Sequence, residues 1–232
     1  MQNETIYFVF SLLLWFGTIR INAFFNYKNF QHDFRPDLQE FCPKVKAMRN
    51  FDISGMMGFW YVVEYYASSE EAAEYACMQS NFSMSTESAH ITMNFTYFFK
   101  DDPNKDTLYG NITWVVPNSE IQSYWIHAES IYEGIYNTYI IDSDYKKWAL
   151  IMHCAEKPHS NRYFSALMLS RTSKLEKNVI NFLREKLPMY EIDVSFMFPI
   201  EQERCSKTKR PTKISSQSML SKTEELSLAE NK

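Results

Sequence analysis

Three sets of residues in this 232-residue chain have the types that chemistry uses: four cysteines, five histidines and the three Asn-x-Ser/Thr triplets that lie beyond residue 23. Cys42, Cys77, Cys154 and Cys205 lie far apart with no Cys-x-x-Cys pair, so their spacing excludes a zinc knuckle and a thioredoxin-like redox motif. In an oxidising compartment such cysteines join into long-range disulfides, and paired sulfurs leave no thiolate nucleophile. His32, His90, His127, His153 and His159 show no ligand spacing among them, and no metal site is expected. The chain has neither a Gly-x-Ser-x-Gly elbow nor a His-Glu-x-x-His pair, so hydrolysis by an activated serine or by a metal-bound water finds no support, and an enzyme is the least expected class. The triplets begin at Asn81, Asn94 and Asn111, and each asparagine must face solvent if it carries a glycan.

The elements that must position these residues are mostly strands. Residues are 45% hydrophobic and 16% aromatic, with 18 Phe and 15 Tyr, an enrichment that fits half-buried β structure. A net charge of −4 with interspersed signs offers no basic field, so nucleic acid is not an expected partner. At the N-terminus an apolar run from Ile6 to Ile19, too short to span a bilayer comfortably, precedes Ala23. Residues 1–23 read as a signal peptide, with a short signal anchor as the competing reading, which makes a secreted protein with no transmembrane segment in the mature chain. From Trp60 onward, eight short apolar runs alternate with turn-prone clusters such as Asp101-Asp102-Pro103-Asn104 and Pro117-Asn118-Ser119. One segment departs from this rhythm. Ser173 and Glu176 stand in capping-box spacing, Leu175, Val179, Phe182, Leu183 and Leu187 follow at helical spacing, and Pro188 stops the run. Residues 206–232 lack an apolar face and read as a disordered polar tail. The expected architecture is therefore all-β with one helix: an eight-stranded antiparallel up-and-down barrel over residues 24–205 with a C-terminal α-helix packed on its wall. Closure removes exposed strand edges, and a barrel of eight strands has room for side chains or for one small ligand.

Three separated motifs carry a resemblance. Gly58-Phe59-Trp60 opens the first strand, Ser143-Asp144-Tyr145 lies between the sixth and seventh, and Arg171 closes the eighth, just before the helix. In this order and at these separations the motifs resemble those of the lipocalin family over about residues 40–205, and within it the branch of apolipoprotein D and insect proteins such as Lazarillo. The likeness implies that Cys42 pairs with Cys154 and Cys77 with Cys205. It also implies that Trp60 plugs the closed end of the barrel against the Arg171 cation, with Gly58 letting the chain turn where a Cβ would collide.

Alternation along strands then orients the remaining side chains. With the three asparagines outside, Phe82, Met93, Phe95, Tyr97, Ile112 and Trp114 point inward. The resemblance supplies the parity of the later strands: Tyr136, Thr138, Ile140, Ala149, Ile151, His153, Leu167 and Leu169 inward, with Tyr139, Ile141, Trp148, Leu150 and Met152 under the helix. Tyr124 and Ile126 are the inward choice on the fifth strand, against Trp125. The expected function is carriage of a small hydrophobic molecule (lipid, fatty acid, retinoid, sterol or bilin) with no resident cofactor, in a barrel that its own aromatics could instead fill. His153 is the one candidate axial ligand for a haem, although a lone histidine on a barrel wall is more often a hydrogen-bonded wall residue. The alternative function is an extracellular interaction protein that meets a cell-surface receptor through Trp125, Tyr132 or Tyr136. The basic cluster Lys207, Lys209, Arg210 and Lys213 reads as a solvated tail or as a contact for a polyanion or membrane surface.

Overall fold

A computed structural model describes residues 40–205 apart from 69–73, 86–89, 103, 105, 129–133, 158 and 204. All of these fall within one compact unit, Asp37–Lys232. The expected signal peptide, the polar tail with its basic cluster, His32 and Tyr132 lie outside the described residues.

Eight strands run antiparallel in sequence order: β1 Gly58–Ala67, β2 Tyr75–Met84, β3 His90–Phe99, β4 Leu108–Val115, β5 Tyr124–Ala128, β6 Ile135–Ser143, β7 Trp148–Ala155 and β8 Tyr163–Ser170. β1 pairs with both β2 and β8, which closes the sheet into a barrel. A two-residue strand, β9 Phe198–Pro199, pairs with β1 at Glu64 and Tyr65, on the edge that β2 leaves free. Before β1, Asp52 caps a single helical turn, α1 Ile53–Met56, by accepting the Ser54 N–H at 2.9 Å.

The chain has two apolar layers because the strands from β6 round to β1 are apolar on both faces. The inner layer runs from Trp60, Val62 and Tyr65 through Phe82, Met93, Trp114 and Trp125 to Ile151, Leu167 and Leu169. The outer layer places Val63, Ile141, Leu150, Met152 and Met168 under Leu183, Leu187 and Tyr190. Helix α2 Lys177–Arg184 covers that wall, and burying Leu183 and Leu187 completely stabilises the contact by about 1.5–3 kcal/mol each. The expected capping box is absent: Glu176 itself is the N-cap, with no side-chain bond, so the helix starts only at Lys177. It also ends four residues before Pro188, which instead opens a 3-10 turn, Pro188–Tyr190. Phe182 stays 44% exposed and meets Trp148 edge-on, at the rim of the helix contact.

Disulfides join Cys42 to Cys154 and Cys77 to Cys205, the pairing the resemblance implied. No free cysteine and no group of three metal-ligating side chains occurs among the described residues. No described helix is long and apolar enough to cross a membrane.

Candidate functional site

The closed end is built around Trp60. Its indole is fully buried, donates Nε1–H to the Met56 carbonyl at 2.8 Å, and lies 3.5 Å beneath the Arg171 guanidinium. Arg171 spends its remaining donors on backbone: Nη1 on Phe59 O at 2.8 Å, Nη2 on Gly55 O at 2.8 Å and Met57 O at 2.9 Å, and Nε on Tyr145 O at 3.1 Å. One cation thus ties the entry to β1, the β6–β7 turn and the end of β8 together. In that turn Asp144 Oδ1 accepts the Lys147 and Trp148 N–H groups at 2.7 and 2.9 Å, and the Tyr145 hydroxyl accepts the Asp52 N–H at 2.9 Å. Gly58 is required for a different reason from the expected collision. Its φ is +91°, which side-chain-bearing residues rarely adopt, whereas a Cβ there would sit 3.5 Å from Arg171, an ordinary contact.

Above this plug the barrel is solid. Trp114, Trp125 and Phe82 are at most 2% exposed and pack ring on ring, Trp114 to Trp125 at 5.6 Å and Phe82 to each indole at 6.2 Å. Ile140, Ala149, Ile151 and Leu169 complete the filling. The lower interior is therefore occupied by the protein's own side chains.

Towards the other end the packing relaxes. Tyr65, Tyr136, His153 and Leu167 keep 7–8% exposure, and Phe95, Tyr97, Ile112, His127 and Tyr163 are only half-buried. Gly110 contributes by having no side chain: a Cβ there would lie 2.3 Å from the Phe95 ring, so the ring can lie flat along the wall. Of the residues expected inside, Phe82, Met93, Phe95, Tyr97, Ile112, Trp114, Tyr136, Thr138, Ile151, Leu167 and Leu169 are on the inner face.

Tyr124 and Ile126 are corrections: both face outward. Tyr124 stacks on Tyr139 at 5.1 Å on the outer wall and donates its hydroxyl to Asn137 Oδ1 at 2.6 Å, while desolvation raises the pKa of Tyr124 and pushes that of Tyr139 up to about 12. Trp125 takes the inner position, fully buried, because the Gln122 carbonyl accepts its Nε1–H at 2.7 Å and leaves only apolar ring to bury. Neither Trp125 nor Tyr136, 7% exposed, forms an outer contact surface.

With Trp125 inward, the fifth strand also brings in His127, which stacks on Tyr136 at 4.8 Å and meets the Trp114 edge at 5.7 Å. His153 lies parallel to Trp114 at 6.1 Å. Its Nδ1 is 2.9 Å from Thr138 Oγ1, which in turn accepts Trp114 Nε1–H at 2.8 Å. Burial, with the neighbouring His127 charge second, lowers the His153 pKa to about 3, so this imidazole is neutral at physiological pH.

No Asp, Glu, Lys or Arg of the described strands faces the inner wall. The strands hold two charged residues, Glu64 and Asp142, and both face the helix side: Glu64 takes a bidentate pair of bonds from Arg184 at 2.9 Å, and Asp142 pairs with Lys186 at 2.8 Å. The three asparagines are exposed on the opposite wall and stand in register, Asn81 beside Asn94 and Asn94 beside Asn111. A separate groove of about 930 Å³ lies outside the barrel, between Val45–Phe51 and Ser119–Gln122 over Tyr124 and Tyr139.

Comparison with known proteins agrees with this geometry. The chain is 26% identical over 169 residues to apolipoprotein D of Macaca fascicularis, 22% over 169 to that of Bos taurus and 23% over 172 to that of Mus musculus, each match covering 71% of this chain and 84% of the relative. Apocrustacyanin C2 has the same fold, with a TM-score of 0.53 at 14% identity over 70% of this chain and 91% of its own. No family model matches the chain.

Proposed function

Because this chain is a lipocalin, similar to apolipoprotein D, we propose that it is a secreted carrier of a small hydrophobic molecule, held in the outer half of the barrel. The observation that carries the reading is the gradient of packing along the axis. A base sealed by Trp60 and Arg171 and a core filled by Trp114 and Trp125 give way to half-buried Phe95, Tyr97 and Ile112. Apolar and aromatic walls of this kind hold a ligand mainly by removing its surface from water, at roughly 25 cal/mol per Å² before ordering costs. The filled lower half favours a short or ring-shaped ligand over a long chain running the full depth. Two long-range disulfides and three outward asparagine triplets support an extracellular setting.

The test is to express the full chain as a secreted protein, purify it without denaturant and extract it into organic solvent for mass spectrometry. Trp114 and Trp125 line or floor the chamber, so their fluorescence reports occupancy. A co-purified lipid or pigment, or quenching by an added retinoid or fatty acyl probe, supports carriage. An empty extract together with unchanged fluorescence for every such probe defeats it.

A further inference from the structure

Among the described strands the inner wall carries no Asp, Glu, Lys or Arg, and His153 gives it a donor whose orientation is fixed by a hydrogen-bond relay. Thr138 is fully buried and its hydroxyl has one proton to give. Indole N–H only donates, so Trp114 occupies a lone pair of Thr138 Oγ1, and the hydroxyl proton must go to His153 Nδ1 or be left dry. This relay leaves the imidazole proton of a neutral His153 on Nε2. Among the described residues no carbonyl or side chain accepts that Nε2–H, while the ring keeps 8% exposure. Ser80, 2% exposed on the inner face of β2, likewise has a hydroxyl with no partner.

Resting on the carrier reading above, we infer that His153 Nε2–H, set by the Trp114–Thr138 relay, is the polar anchor of the barrel, and that the barrel selects an uncharged apolar ligand bearing a hydroxyl or carbonyl oxygen over the corresponding carboxylate. A ligand oxygen accepts the Nε2–H and removes an unpaired donor from an apolar site. An alkyl tail placed there leaves the donor dry, which favours the oxygen-inward orientation. A carboxylate in that position loses its hydration and meets no Lys or Arg of the described strands, because both charged strand residues face the helix and the Arg171 guanidinium lies on the far side of the Trp60 indole; it recovers a countercharge only by holding a proton on one of the two inward imidazoles, His153 or His127. Lys157, in the loop after β7, lies 5.8 Å over the Tyr163 ring near the mouth, where it would meet only an acid bound tail first.

Intrinsic tryptophan quenching by two matched pairs tests this at pH 7.4: all-trans-retinol against all-trans-retinoic acid, and parinaric acid methyl ester against parinaric acid. The expected result is that the neutral member of at least one pair binds about tenfold or more tightly than its acid, the scale of one uncompensated buried charge. His153→Phe removes the donor and Thr138→Val breaks the relay, and each narrows the difference by weakening the neutral probe. Should either variant fail to fold, the wild-type comparison stands alone. Acids that bind as tightly as their neutral partners, or tighter, overturn the inference and leave carriage intact; no binding by any of the four probes overturns both.

Discussion

Trp60 and Arg171 act as one unit, the cation over the indole and four of its N–H bonds closing backbone carbonyls that would otherwise face an apolar base. Trp60→Ala is expected to cost about 3–5 kcal/mol in urea unfolding, because it leaves a cavity beneath a guanidinium that has lost its ring. Probe binding by the folded fraction should persist, since the filled core of Trp114 and Trp125 separates the plug from the chamber. Unchanged stability with abolished binding would contradict that separation. His153 makes a second residue-scale prediction. Its folded pKa of about 3 lies below the ordinary 6.5, so between these values the unfolded chain binds a proton that the folded chain does not. Its contribution to stability is therefore full above pH 6.5 and is lost as pH falls towards 3, at up to ~1.4 kcal/mol per pH unit. Comparing urea midpoints at pH 7 and pH 5, wild type should lose more stability than His153→Gln; equal losses would mean that His153 is not buried and neutral.

At the scale of elements, register decides what each side chain does. Asn81, Asn94 and Asn111 form one row across β2, β3 and β4, and their chain neighbours Phe82, Phe95 and Ile112 form the wall behind it. Asn→Gln at any of the three should change stability by less than about 0.5 kcal/mol, and intact mass after expression through a secretory host reads whether that position carried a glycan. Phe82→Ala, one residue away, should cost about 3–5 kcal/mol in the same unfolding assay. A large cost at the asparagines would place that row inside. This part of the barrel was legible in the sequence because each triplet fixes a strand's parity independently of its neighbours. β5 was not, for it has five residues, no triplet, and two adjacent aromatics that could each face inward. What settled it was the turn before the strand, whose Gln122 carbonyl takes the Trp125 N–H, and sequence does not show where that carbonyl points. Bulges were equally hidden. The shift between Val62 and Glu64 on β1 turns Glu64 out to Arg184, and the one at Cys77, with φ of +52°, resets the parity of β2. The motif cluster at the base was readable through its resemblance to the lipocalin motifs, a Gly-x-Trp, an Asp turn and a terminal Arg in that order; the Thr138–His153 relay was not, because it depends on three strands meeting.

For the whole molecule the question is how a barrel whose seams are uneven stays closed. β1 and β2 pair only from Gly58 to Tyr61, at the plugged end, and part above it. The C-terminal extension fills that gap. Gln202 donates both Nε2 protons across it, to Val62 O at 2.8 Å and Met78 O at 2.7 Å, Glu201 O accepts the Cys77 N–H at 2.8 Å, and β9 pairs on β1. Cys77–Cys205 holds this patch in place, whereas Cys42–Cys154 ties the N-terminal segment to β7 on the helix side. The sequence separations are 128 and 112 residues, so in the chain-entropy model the two disulfides have nearly equal effects on the unfolded state, each worth about 5 kcal/mol at most. Their effects on the native state differ, because only one guards a seam. A Cys77→Ser/Cys205→Ser variant is expected to raise hydrogen exchange selectively at residues 62–67 and 75–79, and to weaken probe binding in the chamber those strands border. A Cys42→Ser/Cys154→Ser variant should lose similar global stability, with exchange at those residues unchanged beyond the shift that global unfolding imposes. If the two variants give the same exchange pattern, the C-terminal extension does not seal the barrel, and the contacts of Gln202 are incidental to its closure.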